Sequence, residues 1–188
     1  VAPDRVDLHQ HDVPAGAVVD QRVDRRVAGV SAVPVMVTLD LDRLEQHVAL
    51  GIAQHLQHQL GIGQVTVLIE ESNHTFTRPW LTDFQRYFAA EGGSIGQTIA
   101  FTRTAQTDFA TLAQQALANQ PRAVILISNA LDTAMLATQL RQINPQLVLA
   151  TPAWAAADAL LERGGRAVEG MITGQTYDLS DKSPAFLA

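Results

Sequence analysis

Cysteine is absent from all 188 residues, which excludes a disulfide framework, a thiolate zinc site and a cysteine nucleophile. An oxidising compartment is permitted by that absence but not required. Aromatic residues make up only 5%, and no apolar run approaches the roughly 18 residues that cross a bilayer, the longest being strand-sized. Basic residues are outnumbered, 13 Lys and Arg against 19 Asp and Glu, and the arginines are scattered. A net charge of −6 with no basic cluster argues against a nucleic-acid partner. Glycine is missing where phosphate chemistry needs it: the loops SNHTFTR, NALDT and PAWAA, each placed between a strand and a helix, contain none. GIGQVTV has two glycines, but they precede a strand instead of opening a helix, and no Gly-x-Ser-x-Gly elbow occurs. What the chain does have is 47% hydrophobic residues in a length that suits one domain with a substantial core.

From residue 65 onward, short β-branched runs alternate with longer helical patterns, the signature of parallel strands joined by crossover helices. The strand candidates are 65–70, 94–101, 123–128, 147–151 and 168–174, with another at 33–40. Between the first two, Thr77 is the expected N-cap of a helix with Pro79 in its first turn. Trp80, Phe84, Tyr87 and Phe88 recur there at helical spacing, and Gly92-Gly93 stops it. That aromatic stripe reads as core packing. The next helix starts after Thr107-Asp108, either of which can cap it, and ends at Pro121. A third runs from about Leu131 to Ile143 with Leu136, Leu140 and Ile143 inward, and a fourth from Ala155 to Arg163 ends at Gly164-Gly165. Upstream, residues 41–60 are amphipathic, Leu41, Leu44, Val48, Ile52, Leu56 and Leu60 repeating every three or four residues before Gly61. Units of this size predict an open, mostly parallel α/β sheet with helices on both faces.

Residues 1–32 carry scattered Val and many charges with no clean period, and no element is assigned to them. The first residues contain neither Met nor a basic stub followed by an apolar stretch, so no signal peptide is legible and a trimmed chain is expected. Within them DLHQHD (7–12) sets His9 and His11 at alternate positions, where a strand would point both to one side and toward a metal. A metal-dependent hydrolase needs further ligands on later strands, yet after position 58 His74 is the last histidine. His55 and His58 fall on the polar side of the amphipathic helix and are expected to be solvated. No metal and no cofactor are therefore expected.

The order of pieces from residue 41 is more specific. VTVLIEESNHTFTRPWLTDFQRYFAAEGGSI, then TDFATLAQQALANQPRAVILISN, AMLATQLRQI, LVLATPAW and ERGGRAVEGM resembles the type I periplasmic binding proteins. Within these it is most similar to the branched-chain amino-acid and amide binders of ABC transporters, whose fold is shared by receptor ligand-binding regions. The TDF opening a helix (Thr107, Asp108, Phe109) and the Gly-x-Ala-x-Glu-Gly of Gly165, Ala167, Glu169 and Gly170 are the more distinctive motifs. Proteins of this kind have two α/β lobes joined by three hinge strands and are about twice as long. The resemblance covers mainly the second lobe, so residues 1–40 are expected to be a remnant of the first lobe or hinge, and residues 41–188 the second lobe ending at the return hinge.

The resemblance implies a ligand held between lobes at the carboxyl ends of the strands, where open parallel sheets place their sites in general. Hinged closure would then present a surface to a membrane permease. The loops after the strands supply the candidates His74, Phe76, Asn129, Asp132 and Trp154. His74 stands about where amino-acid binders have an aromatic hydroxyl residue, and with Phe76 it offers a flat surface; the other reading is a solvated loop histidine. Asn129 and Asp132 flank a helix N-terminus, whose free N–H groups favour anions, and Asp132 is otherwise a cap. Glu70 and Glu71 have two readings, a cation site and strand-end carboxylates that face water, and the second is the more usual. Relatives commonly carry a tyrosine near Ala130 or Leu131, and after the 147–151 strand an acid that holds a ligand ammonium. Here those positions lack the tyrosine and have Ala153-Trp154 in place of the acid, which argues against a simple leucine-type ligand. A flatter molecule such as an aromatic carboxylate or amide, packed on Trp154, His74 and Phe76, fits better. The expected function is an extracytoplasmic solute-binding protein of an ABC importer, periplasmic or at the cell surface, with a small-molecule ligand, a permease partner and no catalysis. The alternatives are a sensory ligand-binding domain of the same fold and a flavodoxin-like enzyme. A free lobe would also leave apolar surface open to dimer formation.

Overall fold

The computed structural model describes residues 35–38 and 44–175. The His9/His11 pair and the helical positions before residue 44 lie outside them. Six strands form one sheet in the order β1-β6-β5-β4-β2-β3, comprising β1 (Val35–Thr38), β2 (Gln64–Glu70), β3 (Ser94–Phe101), β4 (Ala123–Ile127), β5 (Val148–Ala150) and β6 (Ile172–Gln175). Every pairing among them is parallel. The helices are α1 (Leu44–Gln54), α2 (His74–Ala90), α3 (Phe109–Leu117), α4 (Ala130–Ile143) and α5 (Asp158–Gly164). The architecture is the open, parallel α/β layer with helices on both faces that the order of sequence pieces implies.

Two apolar layers explain why both faces are covered. On one side Val65, Val67, Ile69, Ile125 and Ile127 meet α1 and α2 through Ile52, Trp80, Phe84 and Phe88. On the other, Leu68, Val124, Leu126 and Leu149 meet α3, α4 and α5 through Ala113, Leu136, Leu140 and Leu160. Successive strand residues point to opposite faces, so a strand buried on both sides must be apolar throughout. That is why β4 reads as AVILI and is buried at every position. Where the aromatic stripe of α2 crosses the sheet, Trp80 and Phe84 stack at 5.5 Å and Phe84 and Phe88 at 5.3 Å.

Helix α1 comes so close to β6 that a Cβ on Gly174 would overlap the methyl groups of Val48, which is fully buried and β-branched. Gly174→Ala is expected to cost about 2 kcal/mol by overpacking. A thermal melt monitored by circular dichroism checks this; an unchanged midpoint means that α1 can slide away from β6 freely.

Several element limits differ from expectation, each for a local reason. Helix α2 starts at His74, not after Thr77, because the buried Thr77 hydroxyl donates to the Glu70 carbonyl at 2.9 Å instead of capping. Its first turn is closed on the Asn73 carbonyl by the Phe76 and Thr77 amides. Asp108, rather than Thr107, caps α3, accepting from the Ala110 and Thr111 amides at 3.0 and 3.1 Å. Ile143 is 52% exposed and not inward, since α4 ends there and Leu140 is its last core residue. The expected helix from Ala155 begins instead at Asp158, a 3-10 turn (Ala153–Ala155) filling the gap after Pro152. The last strand starts at Ile172 and not at 168, because a second 3-10 turn (Gly165–Val168) and the left-handed Gly170 precede it. Helix α1 widens into a π-turn over His55–Gln59. There His58 is largely exposed and bonds Glu91 at 2.7 Å.

Candidate functional site

Strand order reverses direction at β2: the chain moves outward to β3, then returns across to β4 on the other side. Helices α2 and α3 therefore lie on opposite faces and leave a crevice at the carboxyl ends of β2 and β4, where ligands bind in open α/β sheets. The loops after β2, β3, β4 and β5 and the N-termini of α2 and α4 all open onto this one edge.

The five residues singled out from the sequence all occupy this edge, in two different conditions. His74 and Phe76 lie in the first turn of α2, exposed, Phe76 at 62%. Phe76 stands one turn before the buried Trp80 on the same helix, at the spacing that makes side chains neighbours. Trp154, in the turn after β5, is half-buried; its indole Nε1 donates to the Ser128 carbonyl at 3.0 Å, and its ring meets Trp80 edge-on at 6.2 Å. Trp154 is thus held by the β4 loop below and by α2 beside it. Asn129 is exposed and is the cap of α4, accepting from the Asp132 amide at 2.9 Å. Asp132 is neither a cap nor open to solvent. It is 1% exposed and pairs through Oδ1 with Arg103 Nε at 2.9 Å, while Asn129 Nδ2 donates to Oδ2 at 2.9 Å.

Three further residues on this edge carry weight that the sequence pattern does not convey. Glu70, expected to face water, is buried at the end of β2. Its carboxylate accepts the Ser72 amide at 2.7 Å, the Asn73 amide at 3.2 Å and, from the next loop, the Arg103 amide at 3.3 Å. Burial pushes its pKa up, but these hydrogen bonds outweigh burial and hold it below the usual carboxylate range. For Asp132 burial prevails over Asn129 and Arg103, and the pKa is raised. Arg103 lies over the Phe109 ring, 4.8 Å from Cζ to the centroid. From the start of α1, Glu45 adds a third carboxylate, and burial raises its pKa. Glu71, in contrast, pairs with Arg78 on the outer surface of α2. The only advance signal for Glu70 and Arg103 is position, a charged residue at or just after the end of an apolar strand.

The edge can therefore do two things. It offers an aromatic and imidazole surface from α2 and the β5 loop, and it holds the loops after β2, β3 and β4 together through hydrogen bonds to Glu70 and Asp132. No nucleophile paired with a base is present among the groups described. Among the described residues, no group of three or more His, Cys, Asp or Glu is gathered closely enough to hold a metal ion.

Comparison with known proteins agrees with this architecture. A leucine binding protein from Thermotoga maritima superimposes with a TM-score of 0.66 at 23% identity, covering 74% of this chain and 39% of that one. A putative branched-chain amino acid ABC transporter protein from Rhodospirillum rubrum gives 0.62 at 18% identity, with the same coverages of 74% and 39%. A solute binding protein of an ABC transporter from Rhodopseudomonas palustris, solved with 3,4-dihydroxybenzoic acid, gives 0.59 at 21% identity, covering 75% of this chain and 39% of that one. The chain thus spans well under half the length of these structures, and the likeness at such identities is one of fold. None of the curated proteins matches. The model of the periplasmic binding protein family, however, matches residues 43–188, nearly the whole of the α/β layer described above. With its parallel sheet, its switch point at β2 and that match, this chain belongs to the periplasmic binding protein family.

Proposed function

We propose that the chain is the second lobe of an extracytoplasmic solute-binding protein, periplasmic or at the cell surface. In this reading residues 41–188 form the lobe and residues 1–40 belong to the first lobe or hinge. A small molecule settles on the carboxyl edge of the sheet, a partner lobe closes over it, and an ABC permease reads the closure. Binding, not catalysis, is the task. The observation that carries the reading is the convergence of His74, Phe76, Asn129 and Trp154, from three separate loops and helix starts, on the crevice at the switch point.

The ligand that suits these groups has a flat apolar body and an acid or amide group. Trp154 and Phe76 supply apolar ring surface and His74 one hydrogen bond. The turn after β5 carries Ala153 and Trp154 and no acid that could meet an α-ammonium group, which favours an aromatic acid over leucine. The bound 3,4-dihydroxybenzoic acid of the Rhodopseudomonas palustris relative is a ligand of this type. Titration with aromatic acids and with leucine, followed by tryptophan fluorescence, is the test. Aromatic acids are expected to change the emission and Trp154→Phe to abolish the change, because Trp80 is buried. Tight leucine binding overturns the ligand assignment.

A further inference from the structure

Resting on that reading, we propose that Arg103 receives the acid group of the ligand. It follows the end of β3 by two residues and stands on the crevice edge, outside the set of residues that the sequence pattern points to. Its guanidinium is held on three sides. Nε pairs with Asp132 at 2.9 Å, Nη1 donates to the Thr104 carbonyl at 3.0 Å, and the Phe109 ring supports Cζ at 4.8 Å. The main chain is fixed as well, since the Arg103 amide donates to Glu70. The side chain is 38% exposed, so part of this ordered guanidinium fork is open to the crevice.

Asp132 shares the Arg103 charge, so the fork offers a ligand a directed N–H donor rather than an unpaired cation, and the carboxylate oxygens beside it are already occupied. Glu70 is engaged by three backbone amides, and Asp132 by Asn129 and by Arg103 itself. The other arginines of this half of the layer are committed elsewhere. Arg78 pairs with Glu71, and Arg86 with Asp83. An arginine whose rotamer is already ordered loses little entropy on meeting an anion, and a guanidinium N–H to a carboxylate is among the stronger hydrogen bonds available. With the aromatic groups of α2 and the β5 loop on the other side of the same edge, the site takes a monocarboxylate with a flat apolar body.

The test uses benzoate and benzamide, which share a ring and differ in charge, with the whole 188-residue chain. Two NMR signals report separately: the Arg103 side-chain Nε–H and the Trp154 indole N–H. Benzoate is expected to move both, and benzamide the Trp154 signal alone. Arg103→Gln is expected to weaken benzoate binding about tenfold and leave benzamide unchanged, the loss of one charge-assisted hydrogen bond. Arg103→Lys keeps the charge without the fork and recovers part of the loss, which a variant that merely disturbed the loop does not do. Equal benzoate affinity in the parent chain and in Arg103→Gln, with Trp154 still responding, overturns the proposal and leaves the edge reading standing. Silence of Trp154 toward both compounds overturns the proposal together with the reading beneath it.

Discussion

Phe84→Ala is expected to lower stability by about 3–5 kcal/mol, the range for truncating a fully buried phenylalanine. Phe84 is 0% exposed and lies in the middle of a three-ring column, stacked on Trp80 on one side and on Phe88 on the other. Removing it therefore loses two aromatic contacts as well as the transfer energy of one ring. The cavity would open between α2 and the sheet, where neither can collapse easily because α1 packs beside α2 through Val48, Ile52 and Leu56. A loss of this size corresponds to a fall in Tm of roughly 10 °C for a domain of this length. Chemical denaturation and a thermal scan measure it, and a cost below about 1 kcal/mol would mean that Trp80 and Trp154 close the gap. The second consequence is functional. Trp80 touches Trp154 at 6.2 Å, so a slack column loosens the indole at the binding edge.

That link from core to edge orders the carboxyl side of the sheet. Loops are ordinarily the mobile part of a structure. Here Trp154 is seated on a core residue, Thr77 ties the start of α2 back to the Glu70 carbonyl, and Arg103 rests on Phe109. Phe109 in turn meets Phe101 at the end of β3. Trp154, the start of α2 and Arg103 thus each have a buried side chain holding them. If the proposed reading holds, a preordered edge lets a partner lobe close without first ordering the surface it meets.

The parts of the fold that were legible in advance are those where one physical rule acts alone. The runs at β2 and β4 read as buried parallel strands because both faces need apolar residues. The stripe of Trp80, Phe84 and Phe88 reads as the core side of a helix because its spacing matches one face. Sheet order was not legible, since it depends on which crossovers turn left or right along the sheet, and no local pattern encodes that. The start of α2 was misplaced because Thr77 is a good cap by type, yet the Glu70 carbonyl competes for its hydroxyl from seven residues away. Asp132 is the same kind of case: a helix-start acid suggests a cap, and only the fold brings Arg103 from the loop after β3 to claim it. Strand-end carboxylates usually face water, but Glu70 is drawn inward by amides from two loops that the sequence keeps 33 residues apart.

Glu70→Gln is expected to cost roughly 3 kcal/mol near neutral pH, since hydrogen bonds to a charged group contribute about 1.5–3 kcal/mol and a wrongly facing donor adds a penalty. The carboxylate accepts from three backbone amides, and a Gln side chain would turn an NH2 group toward at least one of them. Because the hydrogen bonds favour the charged form, the folded-state pKa lies below the usual value near 4.5. The stabilisation is therefore fully present above that value and is lost as the pH falls through the lowered folded pKa. Asp132 has the opposite sign: its raised pKa means that acid relieves a buried charge, so its own contribution improves as the pH falls toward its usual value near 3.8. Urea denaturation of the parent chain and of Glu70→Gln from neutral to acid pH separates the two. The gap between them should shrink steadily below about pH 4.5, and a gap independent of pH would mean that Glu70 acts through its shape alone. Since Glu70 joins the loop that carries His74 to the loop that carries Arg103, Glu70→Gln should also weaken benzoate binding more than benzamide binding. The amide of Arg103 is one of its three donors, so its release sets the acid-binding end of the edge adrift while Trp154, anchored on Ser128 and Trp80, stays in place.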